Sequence, residues 1–257
     1  MNPNEAVRLS LSAGEVMLSN GAETYRVEEV MRRIMSSCGF MNSEAFVVST
    51  GLFICVNTDN GDISSFKRII KRTMNVDALI KMNEISRAFG EGRLTPDAVM
   101  SGIEEIRTGQ GSGNGFTKLF SAATAVGCFC YLFGGSLTDC LNAFFTGFIL
   151  QILLIQLRKN RISEVLVNII GGIMITFLVL TLMNLGVGLT YNYIIIGALM
   201  IMVPGMALTN AVRDILGGDY LSGTVRLMDA LLVAIALATG VGTALSLWYH
   251  IFGGVYI

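Results

Sequence analysis

Charged residues are scarce in the second half of this sequence. Residues 1–118 contain 13 Lys or Arg and 14 Asp or Glu, whereas residues 119–257 contain only five of each. The chain as a whole is 53% hydrophobic and 14% charged, and soluble proteins have about a quarter of their residues charged. The composition therefore indicates a membrane protein with a charged N-terminal part.

Histidine is almost absent, and the cysteines lack the spacing of a metal site. The single histidine, His250, excludes a histidine-based catalytic triad in the charged part and a His-rich zinc site. The five cysteines form no CxxC pair, so neither a disulfide framework nor a metal site is predicted. We predict no catalytic residue and no cofactor. A net charge of -1 without a basic run argues against nucleic acid as a partner.

The charged part, residues 1–108, is predicted to form a small α+β domain. Apolar residues at helical spacing predict helices over residues 5–19, 22–39, 77–89 and 95–108. Between them, the β-branched and aromatic run Ala45 to Asn57 and the segment ISSFKRIIKR flank the turn Asp59 to Asp62, which predicts a β-hairpin. The N-terminus lacks the apolar core of a signal peptide, so this domain is expected to stay in the cytoplasm.

Five apolar stretches follow a glycine-rich linker at residues 109–115. Each is close to the roughly 20 residues that a helix needs to cross a bilayer. They run approximately over residues 116–137, 139–157, 165–185, 191–212 and 227–252. The predicted fold class is therefore an α+β cytoplasmic domain followed by an α-helical membrane domain, residues 116–257, with five transmembrane helices.

Basic residues predict the orientation. All 18 Lys and Arg fall on one side of the membrane if the N-terminus is cytoplasmic, and the C-terminus then lies outside. We expect a multi-pass protein of the cytoplasmic (inner) membrane in contact with membrane lipid.

The stretch Ala198 to Asp229 is the most unusual part of the sequence. An apolar run contains the pair Pro204-Gly205, which removes backbone hydrogen bonds where no water can replace them. Broken helices of this kind often mark transport sites, although a tolerated proline kink remains the alternative. Polar residues follow, and they either bind ligand or anchor helix ends: Asn210, Arg213, Asp214, Asp219, Arg226 and Asp229.

Two separated motifs resemble the threonine/serine exporter family. They are VPGMALTNAVRDILGGDYLSGTVRLMDALL at residues 203–232 and NGAETYRVEEVM at residues 20–31. The membrane motif carries Pro204, Gly205, Asn210, Arg213, Asp214, Gly218, Asp219, Gly223 and Arg226, and the cytoplasmic signature carries Gly21, Glu23, Arg26 and Glu28. From spacing alone, the charges around Glu23 and Arg26 are more typical of a solvated helix face than of a site.

The resemblance implies a subunit of a secondary exporter of small polar metabolites, such as threonine and serine or dicarboxylates such as succinate. The chain is similar to the amino-terminal half of the split form of the family, which implies a second multi-span membrane subunit as partner. A homo-oligomer is an alternative assembly. A membrane-anchored cytoplasmic sensor or enzyme and a passive channel subunit remain alternative functions.

The predicted substrate site lies in the Ala198 to Asp229 stretch. Arginine side chains there suit a carboxylate, and Asp214 or Asp229 suits an ammonium group. The predicted substrate-binding residues are Pro204, Gly205, Asn210, Arg213, Asp214, Asp219, Arg226 and Asp229.

Overall fold

The computed structural model describes residues 1–58, 61–70, 73–109, 115–160, 162–186 and 190–253. The chain divides into two compact units. Unit 1 consists of Met1–Ser112 and Met206–Leu227, and unit 2 consists of Gly113–Gly205 and Met228–Ile257. The chain therefore leaves unit 1, builds most of unit 2, and returns to unit 1 for one short segment.

Four helices of unit 1 lie where the sequence predicts them. They are α1 (Pro3–Ser19), α2 (Thr24–Ser37), α3 (Val76–Gly90) and α4 (Pro96–Gly109). Helix α1 begins with a capping box, because Asn2 accepts a hydrogen bond from the Asn4 amide while Glu5 accepts one from the Asn2 amide. Apolar side chains of all four helices form one buried core.

The strands of unit 1 form a three-stranded antiparallel sheet in the order β1-β2-β3. They are β1 (Ser43–Val48), β2 (Gly51–Thr58) and β3 (Gly61–Arg68). The predicted hairpin is thus incomplete, because the run Ala45 to Asn57 turns at Ser49-Thr50 and forms two strands. Residues 59 and 60 of the predicted turn lie outside the described residues.

The two faces of the sheet differ in character. Val47, Leu52 and Val56 are buried in the core of unit 1. On the opposite face, Phe46, Phe53 and Phe66 are paired in register and exposed, with ring centroids 6.0 and 4.9 Å apart. Alternation along β2 therefore buries one face and leaves an aromatic row on the other.

Unit 2 is a bundle of apolar helices. It contains α5 (Gly115–Leu132), α6 (Leu137–Lys159), α7 (Glu164–Asn184) and α8 (Tyr191–Leu199). It also contains the larger part of α10 (Tyr220–Phe252), while α9 (Gly205–Leu216) lies almost entirely in unit 1. Glycines allow close helix contact, since a methyl group at Gly197 would come within 2.9 Å of the Cys130 amide nitrogen of α5.

The predicted fold class is wrong. Among the described residues, four helices are long and apolar enough to cross a membrane, namely α5, α6, α7 and α10, so the five transmembrane helices are not present. The expected span at residues 191–212 is not one helix, because α8 ends at Leu199 and α9 begins at Gly205. Pro204 explains part of this break, because it cannot donate a backbone hydrogen bond and clashes with a preceding helical turn.

The expected separate α+β domain is wrong for a second reason. The strands make up only a small sheet in a mostly helical chain, and residues 206–227 complete the charged unit. Apolarity favoured placing the first part of this segment, residues 206–212, in the fourth span, but polar side chains of the segment bond to residues 21–24 instead. The boundaries at residues 108 and 115 stay a prediction, and residues 110–114 of the predicted linker lie outside the described residues.

Candidate functional site

The junction between α1 and α2 supplies one side of the candidate site. Helix α1 closes at Asn20, whose side-chain amide donates to the Val16 carbonyl at 2.7 Å. Gly21 then adopts a φ of +89°, which favours glycine, and a methyl group there would also come within 2.5 Å of Met74 Sδ. The tight turn at Asn20-Gly21 presents the backbone and side chains of residues 21–24 to the segment at residues 206–227.

Helix α9 and the first turns of α10 supply the other side. The turn between them contains Gly218 at φ +91°, and the Asp219 amide donates to the Asp214 carbonyl at 2.8 Å. A methyl group at Gly223 would come within 2.8 Å of the Ala211 carbonyl oxygen, so glycine allows α10 to pack closely on α9. Asn210, Asp214 and Arg226 therefore share one buried side of this helical hairpin.

Hydrogen bonds join the two sides directly. Asn210 Nδ2 donates to the Gly21 carbonyl at 2.9 Å, and Arg226 Nη2 donates to the Ala22 carbonyl at 2.8 Å. The Thr24 hydroxyl lies 2.6 Å from Asp219 Oδ2 and 3.1 Å from Asp214 Oδ1. Since a hydroxyl has a single proton, Thr24 donates to only one of these carboxylates at a time.

Ion pairs complete the arrangement, which we call the charged cluster: Glu23, Thr24, Arg213, Asp214, Asp219 and Arg226. Arg226 Nε lies 3.2 Å from Asp214 Oδ2, an ion pair without the alignment of a hydrogen bond, and both side chains are buried. Arg213 pairs with the buried Glu23 while its own side chain stays 52% exposed. The Arg26 guanidinium also approaches Glu23, with Nε 3.3 Å from Oε2.

Burial affects the protonation of two carboxyl groups at this site. Desolvation raises the pKa of Asp214, against the opposing effects of the Arg226 charge and the Thr24 hydrogen bonds. Desolvation also raises the pKa of Glu28, whose Oε1 accepts a hydrogen bond from the Val47 amide of β1 at 3.1 Å. Both carboxyl groups therefore hold a proton more tightly than they would in water.

The structure places five of the eight predicted site residues in one region of unit 1: Asn210, Arg213, Asp214, Asp219 and Arg226. Pro204, Gly205 and Asp229 belong to unit 2. Glu23 is buried, so the solvated-face interpretation fails for this residue, although Arg26 and Glu29 are exposed. Sequence reasoning did not single out Ala22 and Thr24, although both stand inside the quoted motif at residues 20–31.

No group of three or more His, Cys, Asp or Glu side chains in the described part of the chain is arranged to hold a metal ion. The cluster instead pairs carboxylates with guanidinium groups, a chemistry suited to exchanging partners with carboxylate or ammonium ligands.

Comparison with known proteins gives the family. The family model described as threonine/serine exporter (ThrE) matches residues 8–248. This chain belongs to the threonine/serine exporter family. The match includes both motifs, and the structure shows that they contact each other across some 190 residues of sequence.

Individual relatives of this exporter-family chain are distant. It is 21% identical over 248 residues to "Threonine/serine exporter" of Corynebacterium glutamicum, covering 94% of this chain but only 51% of that protein. It is 24% identical to "Probable succinate transporter subunit YjjP" of Escherichia coli K12, covering 94% of each chain. The protein of that name from Klebsiella aerogenes is 23% identical, with 94% and 93% covered. No solved structure matches this chain.

Proposed function

We propose that this chain is one subunit of a secondary exporter that moves small polar metabolites, amino acids such as threonine or dicarboxylates such as succinate, across the cytoplasmic membrane. The observation that carries the proposal is the family match over residues 8–248. The four long apolar helices support a transport role.

A second multi-span membrane subunit is the proposed partner. The chain spans about half the length of the Corynebacterium exporter, and it spans nearly all of two proteins whose names contain the word subunit. A partner would supply the part that corresponds to the other half of the longer protein. In this proposal the chain inserts into the membrane alone but transports only in the complex.

Efflux from preloaded cells or vesicles tests this function. The full chain is expressed with and without its partner, and initial efflux of radiolabelled threonine and succinate is measured at matched membrane abundance. We expect efflux of at least one of these compounds only when both chains are present. Absence of efflux of either compound from the complex contradicts the function, and full efflux by the single chain contradicts the partner.

The charged cluster is the proposed cytoplasmic entrance for the cargo. Arg213 is the exchangeable cation, because its side chain is half exposed although it pairs with Glu23. If a cargo carboxylate displaced Glu23 from Arg213, Arg26 would remain as the ion-pair partner of Glu23. Asn210, Asp214 and Arg226 are buried and hold the segment in place, while Pro204, Gly205 and Asp229 stay in the proposal on sequence grounds.

Substitution of Arg213 tests whether this side chain binds the cargo carboxylate through its geometry or only through its charge. Arg213→Lys keeps the charge but loses the planar fork that binds a carboxylate through two hydrogen bonds. We expect the KM for efflux to rise about tenfold, the loss of roughly one bidentate contact. The matched control is Arg93→Lys, which changes an exposed arginine paired with Glu91. Equal KM values for the two variants would remove Arg213 from the entrance.

A further inference from the structure

Unit 2 buries hydroxyl groups between its apolar helices. Thr146 of α6 and Thr176 of α7 are both completely buried. The Thr176 hydroxyl donates to the Gly172 carbonyl of its own helix at 2.9 Å. Thr146 Oγ1 has no hydrogen-bond partner in the part of the chain that the structure describes. A buried hydroxyl without a partner destabilises the fold, so this group calls for an explanation.

Thr146 faces the core of unit 2. Its neighbours along the same side of α6, Ala143 and Leu150, belong to the buried core cluster with residues of α7 and α8. Thr146 is the tenth of the 23 residues of α6, so it lies at mid-length of a helix long enough to cross a membrane. The unpartnered hydroxyl is therefore far from water at either end of this helix.

The interruption after α8 lies close to the same place. A methyl group at Gly171 of α7 would come within 2.5 Å of Met202 Cε and 3.8 Å of Leu150 Cδ1. Met202 follows the end of α8 by three residues, and Leu150 follows Thr146 by one helical turn. The chain just after α8 and the side of α6 that carries Thr146 therefore pack against the same glycine of α7.

The end of α8 offers carbonyl oxygens. The Met200 amide donates to Ile196, and the Met202 and Val203 amides both donate to Leu199. The carbonyl groups of Gly197 and Ala198 therefore receive no donor from this turn. The C-terminal end of a helix also carries partial negative charge, and broken helices in transporters use such ends to bind cations.

The distribution of basic residues in unit 2 also favours a cationic ligand. Its Lys and Arg residues are Lys118, Arg158, Lys159 and Arg161, which stand in the first turn of α5 or at the end of α6 and just beyond it. Among the described residues of unit 2, no basic side chain thus stands at mid-length of α6 or α7 to bind a carboxylate. The groups that this side of α6 and the end of α8 do offer, a hydroxyl and helix carbonyls, are acceptors for a positively charged donor.

We propose that the Thr146 hydroxyl and the carbonyl groups at the C-terminal end of α8 form a binding position for a small cationic group. This group is the ammonium of an amino-acid cargo or a monovalent coupling cation such as Na⁺. The inference rests on the proposed export function. It explains why the fold retains a hydroxyl that it does not itself satisfy.

Ligand-dependent thermal stability of the purified complex tests the position. Unfolding is followed with threonine in choline buffer, with NaCl alone, and with choline chloride as reference. We expect one of the first two to raise the Tm of the wild type, which identifies the source of the cation. Thr146→Val should bind that ligand at least tenfold more weakly and yet be more stable without it. Thr146→Ser, which keeps the hydroxyl, should bind it like the wild type.

The matched control is Thr176→Val, because that hydroxyl is satisfied by its own helix. The Thr176→Val complex should bind the stabilising ligand with wild-type affinity. The inference is overturned if Thr146→Val binds the ligand as tightly as the wild type, or if neither threonine nor Na⁺ stabilises the wild-type complex. Efflux keeps the two proposals separate: a wild-type complex that exports neither threonine nor succinate contradicts the proposed function, whatever the binding assay shows.

Discussion

Arg213 and Arg226 stand in the same motif but have different surroundings. Arg226 is 9% exposed, pairs with the completely buried side chain of Asp214 and bonds to the Ala22 carbonyl, whereas Arg213 is half exposed. The sequence placed both in one substrate clamp. Arg226 is therefore buried as part of the fold of unit 1, and Arg213 is the more accessible of the two arginines.

Arg226→Met should destabilise unit 1 by about 3–5 kcal/mol, because it leaves Asp214 as a buried charge without its partner. Arg213→Met should cost only about 0–1 kcal/mol, since the Arg213 side chain is half exposed and the buried Glu23 keeps Arg26 as an ion-pair partner. Denaturant unfolding of the purified chain at neutral pH measures both. Similar losses of stability for the two variants would contradict the division of roles.

The pH dependence of stability should contain a contribution from Asp214. Burial raises its pKa above the ordinary value of 3.8, so the folded state binds the proton more tightly than the unfolded chain does. The resulting stabilisation is fully present below pH 3.8 and is lost as the pH rises through the raised pKa. Thermal unfolding from pH 3.5 upward should show this loss in the wild type.

Two variants isolate this contribution. Asp214→Asn cannot titrate, so its Tm should fall less steeply with rising pH than that of the wild type over the same window. Glu105→Gln, an exposed acid on α4, is the control and should follow the wild-type slope. An Asp214→Asn profile parallel to the wild-type profile would show that Asp214 does not titrate in this range.

At the scale of the elements, α7 and α10 approach each other through glycine. A methyl group at Gly240 would collide with the Ile169 carbonyl oxygen, and it would come within 3.2 Å of Gly172 Cα. A methyl group at Gly242 would have no neighbouring atom within 4 Å. The glycine pair noted in the sequence therefore contains one packing residue and one open position.

Gly240→Ala should destabilise unit 2 by about 1–3 kcal/mol through overpacking against backbone atoms. Gly242→Ala should be neutral or stabilising by up to about 1 kcal/mol, because alanine favours the helix. Thermal unfolding in detergent compares the two variants. A Tm for Gly240→Ala equal to that of Gly242→Ala would mean that α7 and α10 do not pack this closely.

A short non-helical break separates α8 from α9. Its position at Pro204 is confirmed, since no helix is present from Met200 to Pro204. Pro204→Ala restores a backbone donor and removes a penalty of about 3 kcal/mol against helix. The two helices should then tend to join.

We expect Pro204→Ala to slow initial efflux at least tenfold at matched abundance, because a continuous helix would not present the end of α8. Pro96→Ala is the control, since Pro96 occupies the first position of α4, where proline is tolerated. Efflux by Pro204→Ala at the Pro96→Ala rate would show that the break serves folding alone.

At the scale of the whole molecule, charge predicts the side of the membrane on which unit 1 lies. Helix α10 carries Arg226 near its start, and the chain contains no Lys or Arg after that residue. Basic residues favour the cytoplasmic side, so α10 should run from the cytoplasm outward.

Reporter fusions measure this orientation. Fusions at the N-terminus and after Asp219 should be cytoplasmic, and a fusion after Ile257 should lie outside. Because α5, α6 and α7 give three crossings before Asp219, this orientation requires the broken segment from α8 to α9 to return the chain to the cytoplasmic side. Reversal of the Asp219 and Ile257 signals would contradict the proposed cytoplasmic location of the charged cluster.

Several properties of this chain were determined by the sequence alone. Local patterns predicted the first four helices to within a few residues, four of the five expected apolar helices, and the break at Pro204. These properties depend on residues that are neighbours in the chain, such as apolar side chains at helical spacing or a proline without an amide proton. The family was recognised in the same way, from two motifs in their order.

Only the tertiary structure decided which segments complete each unit. Apolarity assigned residues 206–212 to the fourth span, but Asn210, Asp214 and Arg226 bond to residues 21–24 and place the whole segment at residues 206–227 in the charged unit. Likewise, Thr146 and Thr176 look equivalent in sequence, and only packing leaves one hydroxyl without a partner. Hydrogen bonds between distant segments depend on how helices pack in three dimensions, and no local spacing in the chain encodes them.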